Sequence, residues 1–357
     1  MSDYPMPSAA IATALQHGLV IPAHPLALDN RRKFDERRQR ALTRYYHAAG
    51  VGGVAIGVHS TQFAIHEPKV GLLKPVLELA AETINNCDRE TGQQSVLVAG
   101  ICGPTSQAVA EARYACEIGY HYGLLSLGGL NDFIDDELIA HCKAVAHEIP
   151  LMGFYLQTAA GGRLLSEAFW RRFVEIPNVV AIKIAPFNRY QMLDVVRAVA
   201  MAGRVAEIAL YTGNDDHILL DLLTEYVIPT PNGAIKVPIV GGLLGHWACW
   251  THTVTALFED VRKIRDKGLI PSQMLTLATQ ITDCNSAFFD ATNQYAGALP
   301  GVQEVLRRQG LLENNYTLDP AELLSPGQAE EIDRVYQAYP FLNDDDFIHE
   351  NLAAWLS

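Results

Sequence analysis

Eight times along the chain a short apolar, β-branched run gives way to a segment with apolar residues at helical spacing. No other feature restricts the possible folds as much. The runs are GLVIPAHPL (18–26), GVAIGV (53–58), SVLVAGICG (95–103), YGLLSL (122–127), PLMGFYL (150–156), VVAIKIA (179–185), EIALYTG (207–213) and GAIKVPIVGGLLG (233–245). Runs this apolar are strands covered on both faces, as in parallel sheets flanked by helices. The clearest helix follows the sixth run. Asn188 with Gln191 marks its start, and Met192, Val195, Val196 and Val199 form one stripe. Eight such units in series predict an α/β fold, a (β/α)8 TIM barrel, with an open doubly wound sheet as the alternative.

The strand pattern stops after Lys267. SQMLTLATQITDCNSAFFDATNQYAG reads as one long helix and GVQEVLRRQG as another. SPGQAEEIDRVYQAY reads as a third, with Ser325 as N-cap and Pro326 in the first turn. DDDFIHENLAAWLS closes the chain as a helix with acids in its first turn. The expected division is an N-terminal extension (1–17), the barrel (18–268) and a C-terminal helical domain (269–357). The extension, the stretch TPNGAIKVP and the residues after Gly310 are additions suited to an oligomer contact, a lid or a passive surface.

The chain has 357 residues, 49% hydrophobic and 19% charged, with a formal charge of −13. That composition supports a large core. The one arginine-rich stretch, RRKFDERRQR, has acids interleaved, so nucleic acid and anionic membranes are not expected partners. No apolar stretch approaches the roughly 20 residues needed to span a bilayer. The opening MSDYPMPSAA lacks the basic start and apolar run of a signal peptide. Cys87, Cys102, Cys116, Cys142, Cys249 and Cys284 form no C-x-x-C pair and read as free thiols. The expected compartment is the cytoplasm.

One residue breaks the apolar rule. Lys183 stands inside VVAIKIA, and lysine is among the side chains least often buried. Alternation puts Val180, Ile182 and Ile184 on one face and Ala181, Lys183 and Ala185 on the other. With the aliphatic face against the helices, Lys183 points into the barrel. The same alternation applied to the preceding run puts Leu151, Gly153 and Tyr155 on one inward face, 28 residues earlier. Burial disfavours an ammonium charge, and a free amine attacks a ketone to give a Schiff base. A neighbouring phenol can move protons at the reacting carbon. The competing explanation is a structural ion pair with a buried carboxylate.

Several segments taken together resemble the dihydrodipicolinate synthase / N-acetylneuraminate lyase superfamily of class I aldolases. YHAAGVGGVAIGVHS is similar to its second strand and turn, FYLQTAAGGRLL to its Y-N-x-P-x-R-T segment, and IPNVVAIKIAP to its Schiff-base lysine strand. YTGNDD resembles its SGDD turn, and GGLLGHW lies at its last strand. The resemblance covers roughly residues 18–310. It implies a pyruvate-like 2-oxo acid held as an imine on Lys183, with Tyr155 handling protons. It implies carboxylate binding by His59, Ser60 and Thr61, which follow Gly57-Val58. Arg163 takes the place of an arginine whose matching position is Ala160. Gly213, Asp215, Gly242 and His246 line the remaining space. No cofactor and no metal is implied, and relatives of this kind form dimers or tetramers, so a homo-oligomer is expected.

The chain also departs from the pattern. SLGGLNDF lacks the family's paired tyrosines, and His246 and Trp247 stand where relatives carry small residues. The leading expectation is a Schiff-base lyase acting on a 2-oxo acid by aldol cleavage, condensation or a related dehydration. The alternative is a regulatory or binding protein on the same scaffold, since a fold does not fix a function. A metal-dependent hydrolase is poorly matched, because the 12 histidines show neither H-x-H nor H-E-x-x-H spacing.

Overall fold

The computed structural model describes residues 4–231 and 233–357. The first three residues of the expected N-terminal extension, and Asn232 within TPNGAIKVP, lie outside the described residues. The strands are β1 (Val20–Pro22), β2 (Gly53–Ile56), β3 (Val96–Ile101), β4 (Tyr122–Leu125), β5 (Leu151–Leu156), β6 (Val179–Ala185), β7 (Ala209–Thr212), β8 (Glu225–Thr230) and β9 (Gly233–Leu244). Eight of them coincide with the apolar runs. Helices alternate with them in chain order, and further helices follow Lys267. This is an α/β fold of the (β/α)8 barrel class with a C-terminal helical domain. No described helix is long and apolar enough to cross a membrane.

By compactness the chain falls into two units. The first comprises Met1–Leu19, Val96–Asn214 and Leu220–Leu243. Its parallel sheet runs β3-β4-β5-β6-β7-β9. Helices Thr105–Glu117, Asp135–Ala146, Glu167–Phe173 and Arg189–Met201 pack against one another in the same sequence. The last begins as expected: Asn188 Oδ1 accepts from the backbone N–H groups of Tyr190 and Gln191, and Met192, Val195, Val196 and Val199 are buried.

Every residue of β6 is buried. Burying a valine or isoleucine stabilises by about 1.5–3 kcal/mol. Four such residues in β6 therefore outweigh the cost of taking one lysine with them. A ribbon was not foreseen. β8 pairs antiparallel with the first half of β9, Glu225 opposite Pro238 and Thr230 opposite Gly233. Only the second half, from Ile239, joins β7 in the parallel sheet. Lys236 pairs with Glu225 on this exposed ribbon at 2.9 Å.

The second unit comprises Val20–Ser95, Asp215–Leu219 and Leu244–Ser357. Helix Glu36–Ala48 packs on Leu73–Thr91 and on Asp345–Trp355. Its core holds Tyr45, Tyr46, Trp250 and Phe288, all essentially inaccessible. The Tyr45 hydroxyl donates to Asp344 Oδ2 (2.7 Å) and accepts from Thr251 N (2.7 Å).

Two details of the C-terminal reading change. The long helix stops at Phe288. Asp290, Gln294 and Tyr295 then adopt left-handed backbone conformations. The Asp290 carboxylate gathers Gly297 N, Asn293 Nδ2 and the Ser325 hydroxyl, so a buried acid replaces the remaining helical hydrogen bonds. Ser325 is thereby used elsewhere. The third helix starts at Gln328 behind Gly327, whose φ of 84° closes the entry.

Candidate active site

In the first unit the candidate residues cluster around β6. The β5–β6 ladder pairs Leu151 with Val179 but Met152 with Ala181, which leaves Val180 as an inserted residue. Beyond that bulge Phe154 pairs with Lys183 and Tyr155 with Ile184. Paired residues of neighbouring strands point the same way. Lys183 therefore shares its face with Phe154, not with Tyr155. The Lys183 Nζ lies 4.5 Å from the centroid of the Phe154 ring, and the lysine is 6% exposed. A cation over an aromatic face is worth about 0.5–2 kcal/mol, most when desolvated.

The opposite face meets the helices. A Cβ on Gly153 would stand 2.6 Å from the Phe173 ring. Tyr155 packs against Trp170 at 5.3 Å, and its hydroxyl donates to Leu165 O (3.2 Å) and accepts from Leu165 N (3.4 Å). Burial raises its pKa, against the counteracting bond to Leu165. The inward placement of Tyr155 beside Lys183 is thus corrected. The residue that takes that place is Phe154, which has no proton to give.

Lys183 also pairs with Tyr211 on β7, whose hydroxyl donates to Leu15 O at 2.7 Å. Gly213 follows. A Cβ there would sit 2.6 Å from Lys183 Cε and 2.8 Å from Ala185 Cβ, so the absence of a side chain is what admits the lysine. The turn that carries Gly213 is fixed by a group the sequence reading missed. Asp221, fully buried, accepts from Thr212 Oγ1 (2.6 Å) and Asn214 Nδ2 (2.9 Å) and pairs with Arg189 at 2.9 Å. Asn214 Oδ1 in turn accepts from Phe187 N at 3.1 Å. A single acid inside the apolar run HILLDLL was the available signal.

Two expected substrate contacts in this unit are otherwise engaged. The Arg163 guanidinium donates to Leu130 O and Phe133 O, tying down the loop after β4. The Gly242 N–H donates to Leu19 O at 3.1 Å.

In the second unit the segment after β2 turns through His59, Ser60 and Thr61. The Thr61 hydroxyl donates to His24 O (2.7 Å) and accepts from Gly57 N (3.0 Å) and Val58 N (3.3 Å). It shapes the turn and has no donor left for a ligand. The ring of His66 completes the bend by donating to Gly57 O at 2.7 Å. Ser60 is 7% exposed, and its hydroxyl has no partner among the described residues. It can serve a ligand. His59 is half-buried with its ring edge-on to Phe63 at 5.9 Å.

The same unit brings Asp215 and His246 together, with Asp215 Oδ1 accepting from His246 N at 2.9 Å. A Cβ on the preceding Gly245 would strike the Phe289 ring at 2.8 Å. The His246 ring stacks on Phe288 at 5.6 Å and meets Trp250 edge-on at 6.4 Å. Burial lowers its pKa to about 4, partly offset by Asn285. The imidazole is therefore neutral at physiological pH.

No family model matches the chain. It is 30% identical over 230 residues to the 4-hydroxy-tetrahydrodipicolinate synthase of a Cyanothece species, covering 64% of this chain and 68% of that one. It is 21% identical over 291 residues to the enzyme of the same name from Symbiobacterium thermophilum, covering 78% and 93%. Among solved structures, dihydrodipicolinate synthase from Aquifex aeolicus superposes with a TM-score of 0.72 at 17% identity, covering 90% of this chain and 98% of that one. N-acetylneuraminate lyase from Fusobacterium nucleatum complexed with pyruvate gives 0.68 at 15% identity, covering 91% and 98%. At such identities the structural likeness speaks for the barrel fold alone.

Proposed function

The chain belongs to the dihydrodipicolinate synthase / N-acetylneuraminate lyase family, and from that premise we propose that it is a lyase that holds a 2-oxo acid as a Schiff base on Lys183. One observation carries the reading. An amine is buried on the face of β6 turned away from the helices, and Gly213, which follows β7, leaves room for its side chain, since a Cβ there would stand 2.6 Å from Lys183 Cε. A strand so apolar gains nothing in stability from a lysine, and a chemical role explains its presence.

The amine adds to the ketone carbon of the acid and water leaves. The resulting iminium keeps a positive charge over the Phe154 ring, whose negative face favours it. The iminium then accepts the electron pair released when a carbon–carbon bond breaks or a proton leaves carbon 3.

A second reading, ligand binding without turnover, is favoured by Phe154 at the expected phenol position and by the engaged hydroxyl of Thr61. One experiment separates the two. Incubation with pyruvate and borohydride should add the reduced adduct to Lys183, seen by peptide mass mapping, and Lys183→Ala should abolish it. A protein that binds pyruvate but yields no adduct, and whose Lys183→Ala variant binds equally well, has the second function.

A further inference from the structure

The arginine-rich stretch RRKFDERRQR has no part in the Schiff-base reading. Most of its cations hold the second unit together. Arg32 donates to Thr317 O, Arg37 to Leu356 O and Arg38 to Gly310 O. Arg40, its last residue, is placed differently. Helix Glu36–Ala48 carries Arg40, Arg44 and His47 at one-turn spacing, so they share a face. That face lines a cleft of about 600 Å³, bounded also by Leu73–Thr91 and by the end of Asp345–Trp355. All of its walls belong to the second unit.

The cleft is cationic. Arg89 joins Arg40 and Arg44 from the facing helix, and among the described lining residues Glu90 is the only acid. Arg44 Nη1 donates to the oxygens of Trp355 (2.6 Å) and Ser357 (3.0 Å), and Arg89 donates to Asn85 O (3.2 Å) and Asn86 Oδ1. Arg40 donates to Thr83 Oγ1 and pairs with Glu82 at 2.8 Å, but that carboxylate is more than half exposed, and such a pair exchanges partners at little cost. A guanidinium has five N–H donors. Each of these three meets two acceptors among the described residues, so all three keep donors in reserve. The floor is fixed: His47 is 4% exposed, and its Nε2 donates at 3.0 Å to Asp88, which also accepts from Ser95 N and Oγ.

Capping of the last helix explains Arg44. It does not explain Arg40 and Arg89, whose hydrogen bonds do not reach that helix. Like charges one turn apart repel, so Arg40 and Arg44 bring no stability to the bare fold by their proximity.

We propose that this cleft binds a small phosphate ester, its phosphoryl group held by Arg40, Arg44 and Arg89. The planar fork of arginine matches phosphate oxygens two at a time. The volume is that of a metabolite pocket and exceeds what a lone phosphate fills. Asn86 as donor and Glu90 as acceptor suit the hydroxyls of the esterified alcohol. The net charge of −13 disfavours an extended polyanion and leaves a compact one. Nothing in this proposal depends on Lys183.

Isothermal titration calorimetry of the full chain at low salt tests it with three probes: ribose 5-phosphate, inorganic phosphate, and succinate as a dicarboxylate of the same charge. Ribose 5-phosphate should saturate one site per chain with a Kd below about 1 mM, and inorganic phosphate and succinate should each bind at least about tenfold more weakly. Arg40→Gln and Arg89→Gln should each weaken the ester about tenfold or more, the loss of a charge-assisted contact. Arg262→Gln, outside the cleft, should leave it unchanged. No saturation by the ester at about 10 mM, in calorimetry and in phosphorus NMR, overturns the proposal. So does full affinity in the Arg40→Gln/Arg89→Gln double variant. Equal affinity for succinate overturns the phosphate assignment, and equal affinity for inorganic phosphate overturns the ester. Arg89 is exposed and bonds only within its own helix, so Arg89→Gln decides if Arg40→Gln does not fold.

Discussion

Lys183 and Phe154 face each other across the β5–β6 ladder, with the ammonium nitrogen 4.5 Å from the ring centroid. The ring gives this lysine a neighbour that favours positive charge yet cannot donate or accept a proton. That contact sets what substitutions nearby should do.

Gly213→Ala tests the space around the amine. The new methyl would lie 2.8 Å from the rigid Ala185 Cβ as well as 2.6 Å from Lys183 Cε, so movement of the lysine tip alone cannot relieve it. Overpacking of this kind costs about 1–3 kcal/mol. Borohydride trapping with pyruvate should fall at least tenfold, with a modest drop in the thermal midpoint. Trapping at the original rate would mean that the amine reacts from another position.

Tyr155→Phe should spare trapping. The phenol bonds Leu165 on the helix-facing side of the sheet. Its removal leaves those backbone groups short of one partner, a loss of about 1 kcal/mol. Urea denaturation measures that loss, and peptide mass mapping measures the adduct. Abolished trapping in a folded Tyr155→Phe variant would return the phenol to the reacting face.

Thr61→Val should act on the fold rather than on catalysis. Valine keeps the shape but deprives Gly57 N, Val58 N and His24 O of their partner. Buried orphans cost about 1–3 kcal/mol each, so a total of roughly 3 kcal/mol is expected after relaxation. Thr61→Ser should restore most of it. Equal urea midpoints for the valine and serine variants would contradict this role.

Acid should weaken the protein well above the range of ordinary carboxylates. Burial lowers His24, His141 and His246 from the usual 6.5 to about 4. Between those values the unfolded chain binds protons that the folded chain refuses, so stability falls as the pH falls through that window. Each group contributes at most roughly 3 kcal/mol, fully present above about pH 6.5 and lost by about pH 4. Asp344, raised by burial, acts in the opposite direction. Urea midpoints at pH 7, 5.5 and 4.5 should decline steadily, and a flat profile from 7 to 5 would rule the effect out.

The sequence by itself determined the barrel, because eight apolar runs alternating with amphipathic helices have few other ways to bury themselves. It also determined that Lys183 sits in a buried strand, since the period of two is unbroken through VVAIKIA. The tertiary structure alone decided which aromatic residue stands beside that lysine. Val180 has no opposite number on β5, and one extra residue turns an offset of 28 into one of 29, which exchanges the faces. With Phe154 and Tyr155 adjacent, either register buries an aromatic ring on each face, so composition could not reveal the slip. The ribbon of β8 was hidden for a related reason: its strands are half exposed and carry no apolar run to read. The role of Asp215 was out of reach too: its carboxylate accepts from His246 N and its carbonyl from Asn285 Nδ2, residues far from it along the chain.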